Sequence, residues 1–557
     1  MKKNDLQISH EAAIRPIAEI GESIGIRPDD LIPYGRYKAK IPLDYIKESA
    51  DGPAGLILVS AITPTPAGEG KTTVSVGLAQ ALNRLGKKTI VVLREPSLGP
   101  IFGIKGGATG GGYSQVIPME DINLHFTGDF AAVEKAHNLL AALIDNNLQS
   151  KTYNLNLDPR TIHWRRVLDM NDRSLRKIIV GLGGTTHGVP RETGFDITAA
   201  SEVMAILCLA DGIKDLKKRL GRIFVGYTVD KKPVYAEDLN ASGAMATLLK
   251  DAVMPNLVQT LEGGPAIIHG GPFANIAHGC NSILATRMGL SLGDYVVTEA
   301  GFGFDLGAEK FFDIKCRYGN LKPRAAVLVA TVRALKMHGG AKLQDITRPD
   351  PDAVRRGLVN LDKHIENMNH FAICPIIAVN RFESDTDQEI ALIRDRCREL
   401  GVRSALCEVF ARGGEGGLEL AEAVLDVTSR CSGGFTPLYD WNWSIQAKVE
   451  KIAKTIYGAS AIDYAPHARN DLKTIERLGL TQLPVCIAKT QKSLSDDPNL
   501  LGRPKDFLVT VREIEIAAGA GFVVPITGEI LRMPGLPEKP AAVDMDIDDQ
   551  GNIVNLF

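Results

Sequence analysis

Residues 55–73 read GLILVSAITPTPAGEGKTT, and this stretch decides the fold. Its first part, 55–62, is a short apolar run rich in β-branched side chains, which predicts a buried strand. The rest nearly spells the phosphate-binding pattern GxxxxGK[ST]: Gly70, Lys71 and Thr72 match, whereas Thr65 stands where the first glycine belongs. In such a loop backbone N–H groups face a phosphate, the lysine adds positive charge and the hydroxyl serves Mg²⁺.

The flanking segments support this partial match. Residues 74–86, VSVGLAQALNRLG, carry apolar side chains at helical spacing, and the final glycine is a suitable helix terminator. TIVVL at 89–93 then predicts the next buried strand. Strand, glycine-rich turn, helix and strand follow in the order that a phosphate loop needs. The alternative, a surface loop of proline and glycine with a solvated lysine, explains none of this order.

Composition bounds the class of protein. The 557 residues are enough for more than one domain, and 45% hydrophobic with 23% charged residues is the balance of a soluble globular protein. The net charge of −2 argues against a broad basic surface for nucleic acid. The start, MKKNDLQISH, lacks a signal-peptide core, and the apolar runs are too short to span a bilayer. We therefore expect a cytoplasmic protein without nucleic-acid or membrane partners.

Cysteine and histidine spacing predicts no metal or redox site. The eight cysteines form no CxxC pair, so we expect most of them to be reduced core residues. The eleven histidines show no HExxH or similar spacing.

One pattern recurs along the chain: an apolar run that ends in a glycine-rich or polar loop. It is found at 177–182, 265–270, 294–300, 325–335 and 371–380. Helical candidates such as 197–210 lie between these runs. The alternation predicts an α/β fold, a P-loop-type, mostly parallel sheet with helices on both faces. Ligands collect at the carboxyl ends of such strands, so we expect the loops to meet in one cleft with the phosphate loop.

Domain boundaries are weakly marked. The segment 432–443, SGGFTPLYDWNW, breaks the alternating pattern. We predict a large nucleotide-binding domain over 1–379, an α/β accessory domain over 380–470 and a C-terminal accessory domain over 471–557.

Several polar and glycine-rich positions are candidates for chemistry. Arg94 and Glu95 follow the second strand, where an arginine fork suits a phosphate or a carboxylate, although a surface ion pair is the alternative. HFTGD at 125–129 groups an imidazole, a hydroxyl and the Asp129 carboxylate, which suits a general base or an ion ligand; the alternative is that its histidine is a hydrogen-bonded structural residue. Glycines crowd the segment 106–112, which indicates close approach of a ligand or backbone rather than a flexible linker.

Two aromatic residues in loops are further candidates, and two kinds of nucleotide-binding motif are missing. Phe382 and Phe410 stand in polar loops, where they either clamp a flat heterocycle or cap a local core, and spacing alone favours the cap. No clear apolar strand ends in the Asp of a Walker B motif, and no protein-kinase motifs occur. Single residues and short motifs therefore indicate an ATP-dependent enzyme that acts on a small anion, and they specify the function no further.

Longer motifs carry a family resemblance. They are TPTPAGEGKTT at 63–73, GIKGGATGGGY at 103–113, VATVRALKMHGG at 329–340, EVFARGGEGG at 408–417 and REIEIAAGAGFVVPITGEILRMPGLP at 512–537. Together they resemble the formate–tetrahydrofolate ligase family over nearly the whole chain. The sequence departs from the family at Thr109, where alanine is usual, and at Phe410, where tryptophan is frequent; the second change weakens stacking.

The resemblance implies a reaction and its partners. ATP, formate and tetrahydrofolate would give 10-formyltetrahydrofolate, ADP and phosphate through formyl phosphate. Mg²⁺ would accompany ATP, a monovalent cation, K⁺ or NH₄⁺, would bind as well, and the chain would form a homotetramer.

The same resemblance implies roles for single residues. Lys71 and Arg94 would be catalytic, Thr72 would help to place Mg²⁺, and Phe382 and Phe410, both within the first accessory domain, would hold the folate ring. Glu95 and Asp129 would bind the monovalent cation. The ATP phosphates would be held by Thr65, Pro66, Ala67, Gly68, Glu69, Gly70, Lys71 and Thr72.

Two alternatives stay open at this point. One is a nucleotide-dependent switch protein, against which the glycine-rich loops and the absent Walker B aspartate argue. The other is a different ATP-dependent carboxylate–amine ligase of similar architecture.

Overall fold

A computed structural model describes residues 3–47, 55–103, 109–431 and 433–556. The strands, in chain order, are β1 (Ile32–Pro33), β2 (Ala39–Lys40), β3 (Gly55–Ala61), β4 (Thr89–Leu93), β5 (Gly110–Gly111), β6 (Ser114–Ile117), β7 (Arg166–Leu168), β8 (Ile178–Val180), β9 (Arg191–Thr193), β10 (Phe195–Ile197), β11 (Phe224–Tyr227), β12 (Pro233–Tyr235), β13 (Asn256–Thr260), β14 (Pro265–Ile268), β15 (Tyr295–Glu299), β16 (Pro323–Ala330), β17 (Pro375–Asn380), β18 (Arg403–Cys407), β19 (Ala461–Tyr464), β20 (Leu508–Ala517), β21 (Phe522–Thr527), β22 (Asp546–Ile547) and β23 (Ile553–Val554).

The α-helices are α1 (Asp5–His10), α2 (Ile17–Ser23), α3 (Lys71–Arg84), α4 (Leu98–Gly103), α5 (Met119–Asn123), α6 (Asp129–Gln149), α7 (Glu202–Leu209), α8 (Ile213–Gly221), α9 (Ala241–Leu248), α10 (Ile283–Leu292), α11 (Arg317–Gly319), α12 (Val332–His338), α13 (Pro351–His370), α14 (Asp387–Glu399), α15 (Val409–Arg412), α16 (Leu418–Arg430), α17 (Ile445–Ile452) and α18 (Pro466–Arg477). None of the helices in the described ranges has the length and apolar character needed to cross a membrane.

A 12-stranded sheet organises the molecule. Its order is β1-β2-β13-β14-β4-β15-β3-β16-β17-β18, with β5 and β6 joined beside β13. From β14 to β18 along this order the neighbours are parallel, whereas β1, β2 and β13 pair antiparallel at one edge. The predicted α/β class with a mostly parallel sheet is confirmed.

Helices cover both faces of this sheet because its strands are apolar on both sides. Along β3, Leu56 and Leu58 belong to one core cluster while Ile57 and Val59 belong to another. The second cluster includes apolar residues of α3 and α16, and the first includes residues of α10, α12, α13 and α14. Side chains of a strand alternate between faces, so a continuous apolar run buries into two layers of helices.

The predicted strand at 177–182 is wrong in its placement. Its central part, β8, pairs antiparallel with β9 in a separate two-stranded sheet, and Ile179 is 62% exposed. A short apolar run does not reveal which sheet it joins, and this hairpin lies outside the large one.

The C-terminal part forms its own small sheet. β19, β20 and β21 make three strands with α18 packed against β20. The predicted boundary between residues 379 and 380 falls within β17, and β18 continues the large sheet beyond it. The division into domains stays a prediction.

The cysteines differ in part from expectation. Six are free and buried, whereas Cys374 and Cys431 form a disulfide across 57 residues. Cys374 immediately precedes β17 and Cys431 follows α16, so the pair joins the start of a strand of the large sheet to the end of a covering helix. Most cysteines are thus free and buried as expected, and the one disulfide was not predicted, because spacing in sequence does not report contact between distant elements.

Candidate functional site

The phosphate loop leaves β3 and enters α3, which begins at Lys71. Gly68 and Gly70 have φ values of +79° and +70°, which L side chains rarely adopt. A Cβ on Gly70 would also lie 2.7 Å from Nδ2 of Asn380 at the end of β17. The turn therefore requires glycine at position 70, and the N-terminal end of α3 faces the loop as anion-binding sites require.

Glu69 stabilises the turn at Thr65, the position where the phosphate-loop pattern has its first glycine. Its Oε1 accepts a 2.6 Å hydrogen bond from the Thr65 N–H, and its other oxygen accepts from the hydroxyl of Thr331. Asn380 donates a 3.1 Å hydrogen bond from Nδ2 to the Glu69 carbonyl. Thr65 thus stands in a braced turn, and strands β16 and β17 reach the loop through the residues that follow or end them.

Neutral histidines fix the entry to the loop. His338 Nε2 lies 2.9 Å from the Thr63 carbonyl, which only accepts, so this nitrogen carries the proton. His364 Nε2 lies 3.0 Å from the Thr63 hydroxyl. Burial lowers the pKa of both imidazoles, that of His364 to about 4, so both are uncharged at neutral pH.

A carboxylate that the sequence analysis missed stands beside the loop. Glu299 is the last residue of β15, which lies between β3 and β4 in the sheet, and it is only 2% exposed. Its Oε2 accepts a 2.8 Å hydrogen bond from the Thr72 hydroxyl, and its Oε1 lies 3.6 Å from Nη2 of Arg94. The structure therefore joins two predicted site residues through a third.

The missed residue had a visible signal. The strand YVVTE ends in an acidic side chain, as a Walker B strand does, but with Glu in place of Asp. A motif that requires aspartate at this position does not match it. A missing Walker B carboxylate therefore no longer speaks against a nucleotide switch.

Arg94 lies on the other side of Glu299. Its Nη1 donates a 3.2 Å hydrogen bond to the Pro272 carbonyl, and the side chain keeps 23% of its surface exposed. Its buried Nε has no hydrogen-bond partner among the residues described. A Cβ on Gly301 would lie 3.1 Å from Nη1 of Arg94, so glycine at this position leaves room for the guanidinium.

Glu95 and Asp129 are brought near each other, but a lysine intervenes. Asp129 accepts hydrogen bonds of 2.7 Å from Lys40 Nζ and 2.8 Å from Asn256 Nδ2. Burial, with the added repulsion of Asp129, raises the pKa of Glu95 well above its usual value, and its Oε2 is buried without a partner in the described ranges. Nowhere in those ranges are three or more His, Cys, Asp or Glu side chains grouped to hold a metal ion.

The two candidate aromatics follow neighbouring strands. Phe382 comes after β17 and Phe410 after β18, and these strands pair in parallel up to Asn380 and Cys407. The Arg333 guanidinium lies over the Phe382 ring, 3.4 Å from its centroid, whereas Phe410 is 51% exposed. Both therefore stand at the edge of the sheet that carries the phosphate loop.

The glycine-rich segment reaches Phe410 directly. The Phe410 carbonyl accepts a 2.9 Å hydrogen bond from the Tyr113 N–H, and a Cβ on Gly112 would lie 2.0 Å from that carbonyl oxygen. The predicted close approach is thus one of backbone to backbone at this position. Gly106 and Gly107, also singled out in the sequence, lie outside the described residues.

Comparisons with known proteins agree over the whole chain. Residues 3–557 match the family model described as Formate–tetrahydrofolate ligase. The chain is similar to a protein of Syntrophus aciditrophicus (strain SB) named "Formate–tetrahydrofolate ligase", with 60% identity over 544 residues. That match covers 98% of this chain and 96% of the relative.

Proposed function

Because the chain belongs to the formate–tetrahydrofolate ligase family and joins formate to tetrahydrofolate at the expense of ATP, we propose that it does so through formyl phosphate. An oxygen of formate attacks the γ-phosphorus of ATP, and the bond from that phosphorus to the bridging oxygen breaks to release ADP. The N10 amine of tetrahydrofolate then attacks the formyl carbon, phosphate leaves and the amine loses its proton. Formate is a poor acyl donor until its oxygen becomes part of a phosphate leaving group.

The observation that carries this proposal is the meeting of Thr72 in the first turn of α3 with Glu299 and Arg94, which end or follow the adjacent strands β15 and β4. The loop 65–72 surrounds the phosphates; its free backbone N–H groups and the Lys71 ammonium hold them, whereas the Thr65 N–H is bonded to Glu69 and Pro66 has none. Arg94 neutralises charge on the phosphoryl group as it passes to formate. Its exposed fraction and its unpartnered Nε leave it able to bind an anion.

The same residues fit Mg²⁺ bound with ATP. Thr72 and Glu299 present oxygen atoms only, which are the ligands that Mg²⁺ prefers. When bound, the ion would neutralise charge on the outer phosphates. Thr72 and Glu299 would hold the ion, while the second oxygen of Glu299 keeps Arg94 in place.

Phe382 and Phe410 are the proposed folate contacts. An exposed ring beside glycine-rich backbone offers a flat apolar face to the pterin. The Arg333 guanidinium holds the Phe382 ring from one side, so this ring is preset for stacking on the other.

Glu95 and Asp129 are the proposed carboxylates of a K⁺ or NH₄⁺ site. The buried, unpartnered Oε2 of Glu95 is the supporting observation, since an unpaired buried acceptor is costly. Asp129 contributes through its charge, because Lys40 and Asn256 already hold its oxygens. K⁺ should raise the melting temperature relative to tetramethylammonium, and Glu95→Gln should abolish that difference.

Oligomerisation and location complete the proposal. A homotetramer is supported by the family and by apolar side chains left on the surface of one chain, such as Tyr153 and Leu182. Sedimentation equilibrium would measure a mass four times that of the chain; a monomer mass would contradict it. The use of ATP favours a cytoplasmic location for the enzyme.

The formyl phosphate step is tested by isotope exchange. ATP labelled with ¹⁸O in the β,γ-bridge is incubated with enzyme, Mg²⁺ and formate, without tetrahydrofolate. Reversible transfer of the γ-phosphoryl group frees the β-phosphate to rotate and moves the label to non-bridging positions. Scrambling that requires formate supports the intermediate. Turnover in the complete mixture, with no scrambling when tetrahydrofolate is omitted, would favour a single concerted step.

A further inference from the structure

A cavity of about 290 Å³ lies apart from the phosphate loop. Its walls come from α6, α7, β11, α18, β20 and β21, so it sits between the first half of the chain and the small C-terminal sheet. No residue of the loop 63–73 lines it, and neither Phe382 nor Phe410 does. The proposed nucleotide and folate contacts therefore leave this cavity unexplained.

The cavity carries surplus negative charge. Its carboxyl groups outnumber its guanidinium groups, and both guanidinium groups form ion pairs, while the buried Nε of Arg532 has no hydrogen-bond partner in the described part of the chain. Arg165 lies 2.6 Å from Asp196, and Arg532 lies 2.9 Å from the same carboxylate and also contacts Glu515. Further carboxyl groups belong to Glu202, Asp471 and Glu513. Carboxylates therefore already offset both positive charges in the wall, which disfavours an anion.

Aromatic rings stand beside these carboxylates. His137 stacks on Trp164 with ring centroids 4.0 Å apart, and Phe224, Tyr227 and Phe522 add further faces. Aromatic faces attract cations through the negative potential above the ring. A wall of rings next to carboxylates is therefore suited to an organic cation with an apolar body.

One buried acceptor in the wall lacks a partner. His137 Nε2 lies 3.1 Å from the Arg165 carbonyl, which only accepts, so this nitrogen carries the proton. Burial lowers the pKa of His137 to about 3, which leaves Nδ1 as a bare acceptor. The residue is 4% exposed, and Nδ1 has no hydrogen-bond partner in the described part of the chain. A donor on a bound ligand would remove the cost of this unpaired atom.

Glu202 offers a preorganised carboxylate at the start of α7. Its Oε1 accepts hydrogen bonds from the N–H groups of Gly519 (2.7 Å) and Ala520 (3.2 Å), which fixes the side chain against the C-terminal unit. Burial raises the pKa of Glu202 to about 7. A cation bound beside Glu202 would favour the ionised form of its carboxyl group.

We propose that this cavity is a binding site for a small organic cation, an ammonium or amidinium group carried on an apolar ring or short chain. The charged group pairs with the surplus carboxylates and donates to His137, while the apolar body lies against the rings. A neutral ligand would leave the surplus charge unbalanced, and an anion would add to it.

The first test uses benzamidine as the probe and benzoate as its anionic counterpart of similar shape. Isothermal titration of the full chain, with MgATP and tetrahydrofolate present, should show one benzamidine per chain and no benzoate. Binding of both probes with equal affinity, or of neither, would overturn the proposal. Competition with MgATP or tetrahydrofolate would also overturn it, since the probe would then sit in the active cleft.

Variants of the cavity wall test whether benzamidine binds in this cavity. Glu202→Gln keeps the acceptor for Gly519 and Ala520 but removes the charge, and it should weaken benzamidine about tenfold. The matched change Glu399→Gln, at an exposed end of α14, should leave affinity unchanged. Ala205→Leu places a larger side chain in the cavity and should abolish benzamidine binding. Unchanged affinity in Glu202→Gln would place the probe elsewhere and refute the site.

Discussion

The hydroxyl of Thr72 donates a 2.8 Å hydrogen bond to Glu299, a residue 227 positions further along the chain. β15 brings the two together because it inserts between β3 and β4. One carboxylate thereby touches the first turn of α3 and approaches Arg94. The proposed metal and phosphoryl contacts depend on this single side chain.

Replacing Glu299 by Gln should lower kcat about 100-fold, since the amide keeps the size of the side chain but not its charge. Initial rates at increasing Mg²⁺ measure the effect, and Mn²⁺ binding with ADP, followed by electron paramagnetic resonance, gives a second readout. Glu262→Gln, which removes an exposed ion pair with Arg84, serves as the control and should retain normal Mg²⁺ dependence. Normal dependence in Glu299→Gln would remove it from the metal site.

Lys71→Met should lower turnover by about 1,000-fold or more, because the outer phosphates lose their mobile positive charge in a site of low dielectric. The side chain starts α3 and is only partly buried, so the unfolding midpoint in urea should hardly move. Near-normal turnover in a folded variant would contradict the assignment.

Phe410→Ala should raise KM for tetrahydrofolate about tenfold while KM for ATP changes little, because the variant loses the proposed stacking contact with the folate. Phe410→Trp, which enlarges the stacking face, should keep or lower KM for tetrahydrofolate. Equal effects of the alanine change on both substrates would refute the folate contact.

The buried ion pair between Lys336 and Glu389 should be important for stability. The two groups are 2.7 Å apart with side chains 0% exposed, and they join α12 to α14. Glu389→Gln leaves an uncompensated ammonium and should cost about 3–5 kcal/mol in the free energy of unfolding. Adding Lys336→Met should recover most of this loss.

Urea unfolding measures both Lys336–Glu389 variants. Glu450→Gln, in an exposed pair with Lys454, should change the free energy of unfolding by less than about 1 kcal/mol. A loss in Glu389→Gln as small as in this control would contradict the prediction.

His364 should make the protein less stable in acid. Its folded pKa of about 4 lies below the unfolded value of about 6.5, so between these limits the unfolded chain binds a proton that the folded protein excludes. The free energy of unfolding then falls as pH falls, by about 2 kcal/mol from pH 6.5 to 5.0 for this group.

Comparing wild type with His364→Gln isolates that group, since other titrating residues contribute to both proteins. Urea unfolding at pH 7.5 and 5.0 should show a smaller loss in the variant. An identical loss in both would mean that His364 is protonated in the folded protein as well.

Local order along the chain was predictable, and contacts between distant strands were not. β3, the loop, α3 and β4 follow one another directly, so apolar runs and glycine positions sufficed to find them. Glu299 reaches the loop only because the order of strands differs from the order of sequence. Lys40 pairs with Asp129 from 89 residues away, so the candidate cation site could not be seen to hold a lysine already.

The placement of β15 also bears on synthesis of the protein. β3 and β4 are complete once residue 93 has left the ribosome, yet the strand that belongs between them starts at residue 295. At about 5–20 residues per second the nascent chain carries two apolar strands without their shared neighbour for roughly 10–40 seconds. Unpaired edges of this kind are prone to aggregate, so this chain should depend on cotranslational chaperones until Glu299 emerges.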